Sequence, residues 1–220
     1  MQIVVGVDEA ICTLGPLLID QDGTWWASTA GHCVPDSPPD KNYPTVGGDT
    51  WSELSGPAVT DSTGRRFGTV IAALRGRVDG VGRDFALIAL TSNTNAHPTM
   101  LGWDVTQSGD NSDAQIGTRL LLHGYGMVVS DVSKARDGYV TDDRRSWTLA
   151  TTLPAAPGDS GAAVFDEAGG VVGVLSSAGG QQFGGADIVG GLGYSNVNRL
   201  APSLELLSIM LPDVVLKPAA

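Results

Sequence analysis

Apolar runs in this chain are short, β-prone and closed by turn residues, and that punctuation constrains the fold more than any other feature. Leu17-Leu18-Ile19-Asp20 and Thr24-Trp25-Trp26-Ala27-Ser28-Thr29 flank Gln21-Asp22-Gly23. Two strand-forming runs around an Asp-Gly turn predict a hairpin. Phe67 to Leu74 follows the Ser62-Thr63-Gly64 turn as another Val/Ile-bearing run. Phe85-Ala86-Leu87-Ile88-Ala89-Leu90 is continuously apolar, which predicts a strand covered on both faces. Strand-like runs continue over 118–129, 147–153, 161–165 and 171–177, the last two joined by the turn Asp166-Glu167-Ala168-Gly169-Gly170. Thirty glycines, twelve prolines and only 17% charged residues leave little sequence for charged helices, which argues against all-α and α/β folds. The expectation is an all-β chain. One long helix is expected near the end, about 196–207, capped by Ser195 or Asn196 with Leu200, Leu204 and Leu207 at helical spacing.

Between Thr91 and Gln115 the sequence turns polar, which predicts a division into 1–100 and 101–220. The net charge of −11 sets the surface against nucleic acid and anionic membranes, because phosphate attraction has the wrong sign here. No apolar run reaches the roughly 20 residues of a bilayer-spanning helix. Met1-Gln2-Ile3-Val4-Val5-Gly6 lacks a basic segment followed by an apolar one, so no signal peptide is visible. Cys12 and Cys33 are either two reduced core thiols, as in a cytosolic protein, or one disulfide. A disulfide would close a loop of about 20 residues, contributing roughly 3 kcal/mol. Cys33 follows His32 directly, where a staple fixes the turn. The disulfide, and with it an oxidising extracellular compartment, is the expectation.

Three segments carry the chemistry: Thr29-Ala30-Gly31-His32-Cys33, Arg83-Asp84-Phe85 and Pro157-Gly158-Asp159-Ser160-Gly161. A serine hydroxyl is a poor nucleophile at neutral pH and needs a base within hydrogen-bond reach. Histidine suits that role, and a carboxylate behind it holds one ring tautomer and stabilises the imidazolium that forms. His97 precedes Pro98 in the polar linker and reads as a solvated loop residue. His123 follows Leu120-Leu121-Leu122 and reads as a partly buried structural group. His32 is the remaining candidate. Asp84 opens the buried run 85–90, where an unpaired charge would be costly and a histidine N–H is a suitable partner. The order His32, Asp84, Ser160 is one of three chain orders known for this triad.

Together these segments resemble the chymotrypsin-like serine peptidases, whose three signatures they match, over roughly Gly15 to Leu207. The cysteine next to the histidine and the absence of further cysteines are most similar to the bacterial streptogrisin branch. The resemblance implies a trypsin-like fold: two antiparallel six-stranded Greek-key barrels with a C-terminal helix. It assigns Ser160 as nucleophile, His32 as general base and then acid, Asp84 as the orienting carboxylate, and the N–H groups of Gly158 and Ser160 as the oxyanion hole. Ser176, Ser177 and Ala178 would pair with an extended substrate backbone, and Pro154 and Ala155 would sit at the base of the specificity pocket. No carboxylate stands at 154–155, which favours an apolar or small residue before the cleaved bond, with Asp187 as the remaining acidic candidate. The family pairs the aspartate beside the nucleophile with a buried cation, and Arg119 or His123 is the expected partner of Asp159. Ala162 stands where a second glycine is usual. Ile3-Val4-Val5-Gly6 is similar to the family's activated amino terminus, but only five residues separate Gly6 from Cys12, too few for the strands that normally intervene.

No cofactor or metal follows from this chemistry. Protein or peptide substrates do, along with a pro-segment or protein inhibitor as candidate partners and a single chain as the working unit. Two other readings use the same residues. An esterase would share the triad, although Gly158 and Ala162 do not make the G-x-S-x-G elbow of that class. A latent or inactive homologue would act as a binding protein.

Overall fold

The structure is a computed structural model that describes residues 1–6, 10–35, 41–44, 50–53, 56–75, 83–91, 96–126, 134–143, 146–178 and 194–219. Its first sheet contains Gln2–Val5 (β1), Ala10–Thr13 (β2), Leu17–Ile19 (β3), Trp25–Thr29 (β4), Lys41–Pro44 (β5), Thr50–Glu53 (β6), Ala58–Asp61 (β7), Arg66–Arg75 (β8) and Asp84–Leu90 (β9). A two-stranded ribbon, Thr99–Met100 (β10) and Val105–Thr106 (β11), follows. The second sheet contains Gly109–Asp110 (β12), Arg119–His123 (β13), Ala135–Asp142 (β14), Thr148–Thr151 (β15), Ala163–Asp166 (β16), Gly170–Ala178 (β17) and Ser195–Arg199 (β18). Helix α1, Leu200–Met210, and a last strand, Lys217–Pro218 (β19), complete the described elements.

The 17–29 hairpin forms as the sequence suggests, with Leu18 opposite Trp26. Asp20 explains its turn. One carboxylate oxygen accepts the N–H groups of Asp22 and Thr24, and the other accepts the Trp26 indole N–H at 3.0 Å. That indole, ahead of the backbone donors, holds the Asp20 carboxyl below its ordinary range, although desolvation pulls the other way.

In the second sheet the order β17-β16-β13-β14-β15-β18 returns to β17, because β17 and β18 also pair. This closes a six-stranded barrel. The first sheet runs β19-β3-β4-β9-β8-β7-β1-β2 and curls through half a barrel. Side-chain alternation along single strands divides the core into three parts. On β9, Ala86 and Ile88 pack inside the first sheet, while Phe85 and Leu87 face a layer between the sheets. On β13, Leu120 and Leu122 fill the barrel and Leu121 joins the layer between. Each fully buried leucine contributes about 1.5–3 kcal/mol. The continuous apolar runs exist because these strands are covered on both faces.

The helix begins later than expected. Residues 195–199 are the strand β18, laddered between β15 and β17, and α1 starts only at Leu200. Ser195 therefore spends its hydroxyl on Thr151 across the ladder rather than on a helix cap. From the helix, Leu200, Leu206 and Leu207 pack into the layer between the sheets. The final strand then leaves the second sheet and pairs with β3, placing Lys217 opposite Ile19.

Candidate active site

His32 sits in a single 3-10 turn, Gly31–Cys33, directly after β4. The turn lies so close to its neighbours that a Cβ on Gly31 would overlap the Leu74 carbonyl oxygen and press on the Phe85 amide. Only glycine allows that approach, and the approach brings His32 to the start of β9 and hence to Asp84.

Asp84 engages His32 twice. Its Oδ1 accepts the His32 backbone N–H at 2.8 Å, and Oδ2 lies 2.7 Å from Nδ1. The Ser176 hydroxyl donates to the same Oδ2 at 2.6 Å. The Asp84 backbone N–H donates to Asn198 Oδ1 at 3.2 Å, and Asn198 Nδ2 donates in turn to Ser203 of α1. An ionised carboxylate only accepts, so Nδ1 carries the ring hydrogen of neutral His32 and Nε2 keeps its lone pair. Asp84 is buried, whereas the His32 side chain is 48% exposed, so a buried group orients a ring that solvent can reach. Ser176 was expected on the substrate strand; its contact with Asp84, 92 residues away, is additional.

Ser160 lies in a turn between β15 and β16. Its backbone carbonyl accepts the Thr13 N–H at 2.8 Å, and the Asp159, Gly161 and Ala162 amides donate to Ala156, Leu175 and Asp159. Among the described residues, the N–H groups of Gly158 and Ser160 donate to no protein acceptor. Gly161 has φ +86°, and a Cβ there would meet the Thr13 carbonyl and the Ala30 amide. Ala162 is buried in the barrel core, so the extra methyl in place of glycine is accommodated.

The structure brings His32, Asp84 and Ser176 into direct contact. The Ser160 hydroxyl makes no hydrogen bond among the described residues. A nucleophile's contact with its base often tightens only when substrate binds. A covalent link ties the His32 turn to the end of β2, which lies against the Ser160 turn. Cys12 and Cys33 form a disulfide, and Cys33 Sγ lies 3.8 Å from the Ser160 carbonyl oxygen. Cys12, His32 and Cys33 also lie close enough together to suggest a metal site, but the two sulfurs are bonded to each other and offer no thiolate.

Asp159, wholly buried beside Ser160, takes a different cation from the one expected. Arg136 on β14 donates Nη1 to Oδ2 at 2.6 Å and Nη2 to Oδ1 at 2.8 Å. The Gly126 and Ala156 amides complete the cage at 2.7 and 2.8 Å. Neither Arg119 nor His123 takes part. Arg119 stands at the far end of β13, paired with Asp137 and Glu167 near the surface. The His123 ring tilts against Tyr125, and burial first of all, followed by neighbouring cations, lowers its affinity for a proton. The β13–β14 register sets Arg136 opposite Leu122, just before the Gly124–Gly126 segment that wraps Asp159.

Ser177 accepts the Asn196 side-chain amide, and Ala178 ends β17. Pro154 is half-buried, and Ala155 packs into the barrel core. Asp187 lies outside the described residues. A cavity of about 640 Å³, lined by Leu14, Phe67, Leu90, Met100 and His123 among others, includes none of the candidate site residues.

Residues 15–174 match the family model described as the trypsin-like peptidase domain. The chain belongs to the trypsin-like peptidase family. Solved structures agree on the fold of this trypsin-like peptidase. Thermobifida fusca protease A is 19% identical with a TM-score of 0.61, covering 99% of this chain and 96% of that one. Cellulomonas bogoriensis chymotrypsin is 19% identical with a TM-score of 0.62, covering 99% and 95%. Nocardiopsis protease is 22% identical with a TM-score of 0.57, covering 100% and 97%. No curated protein matches this trypsin-like peptidase. Its fold and family are those of serine-type peptidase hydrolases, and the fold implies protein substrates. No helix among its described residues is long and apolar enough to cross a membrane.

Proposed function

We propose that this chain is a serine endopeptidase working through an acyl-enzyme. Ser160 attacks the scissile carbonyl carbon. His32 Nε2 takes the hydroxyl proton and then gives it to the leaving amine, while Asp84, held by Ser176, keeps Nδ1 protonated and stabilises the imidazolium. Water repeats the sequence on the ester, with His32 again accepting a proton and returning it to Ser160. The observation that carries this reading is the pair of unused amides at Gly158 and Ser160 in a turn whose other amides are bonded. Such donors fit the negative oxygen of a tetrahedral intermediate, and losing one typically costs about 3 kcal/mol of transition-state stabilisation.

The substrate backbone pairs with Ser176–Ala178. There β17 has β18 on one side, while its ladder with β16 stops before Ser176. Strand addition at such an edge supplies affinity with little side-chain choice. Pro154 and Ala155 bring no charge to the pocket, so apolar or small residues are preferred before the cleaved bond. The disulfide supports an extracellular working compartment.

The test compares the parent with Ser160→Ala. A fluorophosphonate probe should label the parent alone, and a mixed peptide library should be cleaved by the parent alone. A folded parent that takes no label overturns the reading. A labelled parent that hydrolyses esters but no peptide makes it an esterase instead.

A further inference from the structure

Thr13 stands outside the stretch that matches the family model and has no part in the chemistry above. We propose that Thr13 is a positioning residue of the oxyanion turn and acts through its side-chain hydroxyl from the opposite sheet. This rests on the assignment of Ser160 as nucleophile.

Thr13 closes β2 and is buried. Its backbone N–H holds the Ser160 carbonyl, a bond that almost any residue at this position would make. The hydroxyl is specific. It accepts the Tyr125 N–H at 3.2 Å and donates to the Gly158 carbonyl at 2.8 Å. The direction is fixed, because the Tyr125 amide only donates and the Gly158 carbonyl only accepts.

Gly158 has φ +98° and no side chain to restrict it. Its carbonyl and its own N–H are separated by the two soft torsions of one residue, so an untethered carbonyl lets that N–H swing. Thr13 removes this freedom. With the carbonyls of Gly158 and Ser160 both tied to one buried residue, the two unused amides keep a fixed relation to each other. Donors fixed before the reaction need no rearrangement as charge develops on the substrate oxygen. Thr13 is itself anchored. Its carbonyl accepts the Thr29 hydroxyl at 3.0 Å, and Cys12 beside it is bonded to Cys33 beside His32. The sheet that presents the base therefore also aligns the oxyanion donors of the other.

The full chain is tested as Thr13→Val, which keeps the volume and loses the hydroxyl, and as Thr13→Ser, which keeps the hydroxyl. Thr13→Ala replaces the valine variant if that one does not fold. Active sites are titrated with fluorophosphonate, so each kcat refers to competent molecules only. The valine variant should lose about tenfold in kcat, equivalent to about 1.4 kcal/mol, with KM within about twofold of the parent because ground-state binding is untouched. The serine variant should return kcat to within about twofold of the parent, as a retained hydroxyl bond requires. Parental kcat in the valine variant, a loss carried by KM, or a serine variant no better than valine overturns the proposal. An unlabelled parent would instead refute the peptidase reading on which it rests.

Discussion

Replacing Arg136 with methionine tests how the turn beside Ser160 is held. Asp159 is wholly buried and receives four donors, two from Arg136 and two from the Gly126 and Ala156 amides. Methionine fills much of the arginine stem's space but removes both charge-assisted bonds. At roughly 1.5–3 kcal/mol for each such bond, the loss is about 3–6 kcal/mol. Breaking a buried ion pair by removing one partner costs about 3–5 kcal/mol, so the two routes agree near 4 kcal/mol. For a chain of this size a urea slope of about 2.5 kcal/mol/M converts that into a midpoint about 1.5 M lower. Urea unfolding followed by tryptophan fluorescence reads the shift. Asp159→Asn and the double variant complete a cycle. Once the carboxylate is gone, Arg136 has no charge to compensate, so the double variant should lose less than the sum by at least about 1.5 kcal/mol. Additivity within about 0.5 kcal/mol would refute the reasoning. Arg119→Met is the control. Its ion pairs with Asp137 and Glu167 lie at the surface, and the midpoint should not move.

Intact-mass measurement should show a gain of about two hydrogens on reduction, and Cys12→Ser/Cys33→Ser should lose about 3 kcal/mol, the chain-entropy value for a 21-residue separation. Two free thiols in the untreated protein, or an unchanged stability in the variant, would count against this. His123 gives a pH dependence. Its folded-state affinity for a proton lies below the ordinary value of 6.5, so the unfolded chain binds more protons at that site once the pH drops below about 6.5. Its contribution is absent at higher pH and turns destabilising as the pH falls through that window. Melting temperature should therefore drop less between pH 7 and pH 5 in His123→Leu than in the parent. Equal drops would show that His123 titrates as it does in the unfolded chain.

What could be read in the sequence was local. The 17–29 hairpin and strand β9 were legible because each is specified by neighbouring residues: an Asp-Gly turn in one, a short continuous apolar run in the other. The His32, Asp84 and Ser160 segments were legible as signatures, and the structure adds that Asp84 grips both the ring and the backbone of His32. The partner of Asp159 was not legible. Strand β14 reads Ala-Arg-Asp-Gly-Tyr-Val-Thr-Asp, with only Gly138 and Val140 fully buried, so no apolar pattern marks it as a strand. With β14 unseen, the nearest basic groups before Gly124 looked like the cation, while register supplied Arg136 from one strand over. The helix start failed for a related reason. Ser195 and Asn196 favour helix caps, but Ser195 bonds to Thr151 and Asn196 to Ser177 across the ladder. A strand on each side outweighed the local preference.

Strand β19 has a consequence for the order in which the molecule can be assembled. The edge that it covers on β3 belongs to the first sheet, yet β19 reaches it only after the barrel and α1 have been threaded. Gln107 ties the same two segments from the second half of the chain, donating to both the Leu17 and Ala219 carbonyls. While a ribosome is still making the second half, β3 therefore exposes an unpaired backbone edge, the kind of surface that recruits foreign strands. The native partner for that edge is nearly 200 residues downstream, which makes closure a late and slow event. Aggregation during synthesis, rather than weakness of the finished fold, is the hazard this topology carries.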